Sequence, residues 1–243
     1  ERVALSGAAT CGVLTVPGSI LRATDMLVTD NAVITAPAFH VLGTAAIERV
    51  LVDQHHGGAF WLEQGTTTVT DTVIRDVLPD QDDTYGEAFW IATSNTVDLE
   101  RVSVERTGLV GIVIQGSGTT TLQDVRLTDI SGDGKGQGGD GLVVHDTATV
   151  TGTGVAIRQA RQAGIHVLGD ASVDLETVWI EGTRPQVCAT TTCTATTAAV
   201  GAHATGGTLT LTDFGIVDNE TGGVSANGGT IDLSDGGIAG NPI

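Results

Sequence analysis

The chain of 243 residues carries 29 acidic and 11 basic side chains, a formal net charge of −18, with Lys135 its single lysine. That balance argues against nucleic acid, whose phosphates need a positive face, and against a polyanionic substrate such as a polyuronate unless a cation bridges the two. No apolar run is long enough to span a bilayer, so membrane insertion is not expected; the surface acid reads as what keeps a long stack of strands soluble.

Residues 1–18 read as an N-terminal coil or cap. Glu1 has the look of a processed or trimmed start, and Cys11 is expected as a buried or free thiol. From residue 19 to 243 an apolar pattern, L-x-x-V-x-I, returns nine times. It begins as Ala23-Met26-Val28, Ile47-Val50-Val52, Val69-Thr72-Ile74, Leu99-Val102-Val104 and Leu122-Val125-Leu127. It continues as Gly152-Val155-Ile157, Leu175-Val178-Ile180, Leu211-Phe214-Ile216 and Leu233-Gly236-Ile238. The steps from Ala23 to Ile47, Ile47 to Val69 and onward are 24, 22, 30, 23, 30, 23, 36 and 22 residues. A basic period near 22 with strand-like alternation marks a solenoid.

Each unit holds two further pulses of period two. One reads small-apolar-x-apolar, as in Ala59-Phe60-Trp61-Leu62, Ala88-Phe89-Trp90-Ile91 and Gly164-Ile165-His166-Val167. The other precedes each anchor, as in Thr96-Val97-Asp98-Leu99. Three short half-buried strands per unit, with Gly, Asn and Asp at the joints, predict an all-β fold: a right-handed parallel β-helix of about nine three-stranded rungs. A single rung cannot bury its own apolar face, so the stack should form one cooperative domain. The C-terminus stops in mid-repeat, which implies a continued or otherwise covered end in the natural chain.

The long steps place their extra residues at one joint, Leu78 to Gly86, Ile130 to Asp140 and Thr183 to Ala198, so the loops should share one side of the rod. The strand after them carries an outward column, His40, Trp61, Trp90, Val113, Val143 and His166, which reads as a binding surface for sugar rings or an apolar partner unless loops cover it. Asp80, Asp82, Asp83, Asp133 and Asp140 could hold a hard cation such as Ca²⁺, and Asp133, Lys135, Asp140, His145 and His166 are the candidates for catalysis. Before each anchor the outward position is Thr or Ser from Thr44 to Thr230, a ladder that suits an exposed pleated face. Where a second Thr follows two residues on, the T-x-T array resembles that of ice-binding solenoids, with Asp98, Asp174 and Asp232 interrupting it. Cys188 and Cys193 share the last long turn and are expected to form a disulfide, hence an oxidising, extracytoplasmic setting; two reduced thiols are the alternative.

The coil pattern resembles the right-handed parallel β-helix repeat proteins of the pectin-lyase-like superfamily over nearly all of the chain after about residue 19. The alternation of long and short units, the Cys188/Cys193 loop and the closing stretch from Gly228 to Ile243 are similar to uncharacterised secreted or surface β-helix repeat proteins of high-GC gliding bacteria. The superfamily's lyases, hydrolases and epimerases imply polysaccharide chemistry, but their site motifs do not transfer. There is no aspartate cluster, no G-H-G and no R-I-K, and Gly164-Ile165-His166 and Val144-His145-Asp146 only approach them. The expectation is therefore a secreted or cell-surface scaffold that binds a glycan or a surface protein through its loop-bearing side. The alternatives are an atypical polysaccharide lyase or hydrolase, and an ice-binding solenoid using the Thr ladder.

Overall fold

The computed structural model describes residues 3–7, 11–31, 36–80, 85–92, 94–133, 135, 137–186 and 199–241. The chain winds as a parallel β-helix, and every strand pairing in it is parallel. The nine anchors stack in one unbroken column, Ala23 on Ile47, Ile47 on Val69, Val69 on Leu99 and so on to Leu211 on Leu233. Rung stacking also includes the segment expected as a coil or cap. Val3–Ser6 pairs with Met26–Thr29 and Val13–Leu14 with Phe39–His40. Leu5 and Val13 point inward there and extend the core.

Each turn has three faces. In the fourth rung, Thr96–Thr107 is one strand bent at Arg101 and Arg106. Residues 96–100 form the first face and 102–105 the second; Ile112–Ile114 makes the third. The bends are residues in the left-handed region. The first corner holds Asp25, Arg49, Asp71, Arg101, Asp124, Gly154, Thr177, Asp213 and Asp235, all at positive φ. Asp and Gly accept that conformation readily, whereas Arg and Thr do not. The arginines there grip the rung below. Arg49 makes two hydrogen bonds to the Asp25 carboxylate, at 2.8 and 3.1 Å, and Arg101 makes two to Asp71, at 2.6 and 3.0 Å. At the second corner Arg106 holds Asp76 in the same way.

The interior is a set of like-on-like columns. Phe39, Phe60 and Phe89 stack with ring centroids 4.7 and 4.9 Å apart and near-parallel planes, and Ile112, Leu142 and Ile165 continue the column. At the end, Asn219 and Asn241 form a polar ladder. The Asn219 side-chain amide and backbone N–H both donate to Asn241 Oδ1, and Asn219 Oδ1 accepts from the Thr183 N–H. On the first face the Thr ladder is in register, Thr66 on Thr96 on Thr119 on Thr149 on Ser172.

Phe60 is fully buried between two rings, so Phe60→Ala should lower the unfolding free energy by about 3–5 kcal/mol. On the exposed ladder, Thr121→Ala should change it by less than about 0.5 kcal/mol. Chemical denaturation of the two variants against the parent chain measures both.

Candidate functional site

Register places the expected outward column on the third face as one continuous line. Leu14, His40, Trp61, Trp90, Val113, Val143, His166, His203 and Ser225 follow one another rung by rung. From His40 to His203 every member is half-buried. Trp61 is held in place: its indole lies over Gly58, where a Cβ would come within 2.2 Å of Nε1, and Nε1 donates to Glu87 Oε1 at 3.0 Å. Trp90 meets Trp61 edge to face at 5.6 Å, Tyr85 packs on Trp61 at 4.9 Å, and His40 approaches it edge-on at 5.7 Å while hydrogen-bonding Glu63 at 2.7 Å. The result is an aromatic patch with a polar border.

The expected placement of the long loops on one side is visible in their described parts. Glycines let successive turns nest: a Cβ on Gly108 would lie 2.2 Å from Pro79 Cδ, and one on Gly139 would lie 2.6 Å from Arg161 Cβ. Gly139 donates its N–H to Leu109 O, and Arg161 donates to Gly139 O. The Gln186 side chain reaches back to Asp133 O at 3.4 Å.

Among the described residues four acids are buried, Asp80, Glu87, Asp133 and Asp140, and two of them stand just before third-face strands beneath this side. Glu87 and Asp140 occupy one column, separated by Val110, because Phe89, Ile112 and Leu142 two residues on are in register. They are therefore two rungs, roughly 10 Å, apart. Burial pushes Asp140 up to about 7 against a hydrogen bond from the Ala163 N–H. Burial also raises Glu87, against donors from Gly86 and Trp61. His166 Nδ1 lies 3.9 Å from Asp140 Oδ1, beyond hydrogen-bond length. Burial, aided by the neighbouring His203, lowers His166 to about 4. His203 sits 5.0 Å from it, bonded to Thr205 and to Ser225 O. Asp140 is thus about half protonated at pH 7, close to an uncharged imidazole that it does not hydrogen-bond.

The other catalytic candidates do not join it. Asp133 is buried inside its own loop, where Oδ1 accepts the N–H groups of Lys135 and Gln137, and Lys135 is exposed. His145 follows the strand that Asp140 precedes, five residues away along extended chain or about 17 Å, and pairs with Asp146. Asp80 is buried near Glu87, Asp133 is held in its loop and Asp140 lies under His166; Asp82 and Asp83 fall outside the described residues. Among the described residues no three His, Cys, Asp or Glu side chains are grouped to hold a metal ion. Cys188 and Cys193 also lie outside the described residues. The Cys11 thiol donates to Val13 O and is raised by burial.

No protein-family model, curated protein or solved structure matches the chain. Among the described residues no helix is long and apolar enough to cross a membrane.

Glu87 and His203 belong to this side and are not among the residues expected from the sequence. The signal for Glu87 was available: an acid stands directly before the small residue of the third-face strand at both Glu87-Ala88 and Asp140-Gly141.

Because the folded chain holds the Asp140 proton up to about pH 7 while an unfolded aspartate loses it near 4, this group's stabilisation is full below about pH 4 and is lost up to about pH 7. His55 and His166, both lowered to about 4 by burial, act in the opposite direction over about pH 4 to 6.5. Asp140→Asn should therefore gain stability relative to the parent as pH rises from 4 to 7 and show a constant difference above that. Thermal unfolding of both proteins across this range measures it.

Proposed function

We propose that this chain is a β-helix scaffold, secreted or displayed at a cell surface, that binds a glycan through its third face. The observation that carries this reading is the Tyr85–Trp61–Trp90 cluster. Half-exposed aromatic rings offer faces to sugar C–H groups, and the bordering His40–Glu63 pair and loop backbone supply hydrogen bonds to hydroxyls. The resemblance to pectin-lyase-like repeats and to surface β-helix proteins of gliding bacteria supports the same class, as does the expected Cys188–Cys193 disulfide. The net charge of −18 favours a neutral glycan over a polyanion.

A second reading rests on Asp140. A carboxyl that stays protonated to about pH 7 is what a glycosidic general acid requires, and this favours an atypical polysaccharide hydrolase. The two readings separate on turnover. Under the second, a polysaccharide panel releases reducing ends and Asp140→Asn abolishes the release; under the first, sugars bind and no product forms.

In a Trp179→Phe background, the emission of Trp61 and Trp90 should change saturably with an oligosaccharide from such a panel, and Trp90→Ala should weaken the affinity at least tenfold. Unchanged emission with every sugar would remove the glycan reading.

A further inference from the structure

We infer that the second face carries a separate site, a slot that binds one pyranose ring of a neutral polysaccharide. The face is lined by two outward columns, the first-corner residues and the residues two positions on. In the rung 149–160 both columns carry small residues, and the space over Gly154 is taken by the carboxylate of Asp124 while that over Ala156 stays open. Gly154 is the single glycine among the nine first-corner residues, and Ala156 stacks between Arg126 and Trp179. Asp124 and Arg126 thus flank the gap on one side and Thr177 and Trp179 on the other, two rungs or roughly 10 Å apart, at one end of an open groove of about 660 Å³ that continues past Ser103 and Arg101 to Val73 and Thr72.

The walls are chemically specific. Trp179 is 43% exposed. Its six-membered ring rests on Gly215 of the next rung, where a Cβ would come within 2.4 Å of Cζ3, and Nε1 donates to Glu181 at 3.1 Å. The indole is therefore pinned away from Ala156 and leaves the gap open. The Asp124 carboxylate leans over Gly154, where a Cβ would meet Oδ1 at 2.6 Å. Arg126 is set apart from the arginines of the neighbouring rungs. Arg49, Arg75, Arg101 and Arg106 each pair with an aspartate one rung below. Among the described residues Arg126 makes no such pair, and its exposed side chain lines the groove with donors that a ligand can take.

A guanidinium donor and a carboxylate acceptor on one side of the gap and an indole on the other match a pyranose. Its hydroxyls both accept and donate, and its C–H face suits an aromatic surface. An anionic sugar would meet Asp124 and the overall negative charge. The slot lies on a different face from the Trp61–Trp90 patch and does not depend on it.

The W61F/W90F variant leaves Trp179 as the sole tryptophan, so its emission reports this slot and not the third face. Titration with neutral hexasaccharides, cellohexaose and maltohexaose, should shift that emission saturably. A156L, which fills the gap, and R126Q, which removes the charge, should each weaken binding at least tenfold with an unchanged far-ultraviolet circular dichroism spectrum. Three results would overturn the inference: no saturable shift at millimolar sugar, a shift that survives both substitutions undiminished, or a shift produced only by an acidic hexasaccharide such as oligogalacturonate.

Discussion

In-register hydrogen bonding between parallel rungs is the constraint on which the rest of this molecule depends. Once each strand lies directly on its predecessor, every side chain stands on the equivalent side chain of the previous turn. Sequence repetition then becomes columns: phenylalanine on phenylalanine inside, threonine on threonine on the first face, aspartate and arginine at the corners. Columns are stabilised by contacts between neighbours and not within a rung, which is why one rung has no independent core. The same constraint confines variation in length to the turns. The insertions collect on one side, where the described parts of the loops touch the turns of adjacent rungs through glycine and proline.

Both candidate sites are local departures from this regularity. On the third face, aromatic and histidine side chains replace valine in the column, and two acids sit at the start of strands where other rungs place Gly58, Val110 or Ala163. On the second face the departure is subtraction, with Ala156 leaving space between larger neighbours. In a repeat architecture function is expected where the repeat is broken, and here one break adds polar groups to an apolar layer while the other opens a gap in a charged one.

The anchors, the three faces and the third-face column were legible because period-two alternation recurring near every 22 residues leaves little freedom in register. The corners were less so. Nothing in a lone arginine announces positive φ, and Arg101 meets its partner Asp71 thirty residues away. Proximity in sequence also misled. Asp140 and His145 are five residues apart but stand at opposite ends of a strand, while Asp140 and His166 are 26 apart and close in space because they lie on successive rungs. The strands at Val3–Ser6 and Val13–Leu14 were hidden because they are short, four and two residues.

The alternation of charge along the corners bears on how such a chain assembles. Repeats with similar strands can stack in the wrong order, and backbone hydrogen bonds alone would not object. Along the first corner the order is Asp25, Arg49, Asp71, Arg101, Asp124. If a winding chain skipped a rung, Asp25 would land against Asp71 or Arg49 against Arg101, and a pair that attracts would become one that repels. The second corner repeats the device, since omission of Arg106 would set Asp76 on Asp129. The ion pairs are exposed and add little to the finished fold; their value lies in discrimination over the first five rungs, beyond which the first corner passes through Gly154 and Thr177 to Asp213 and Asp235 and the alternation ends.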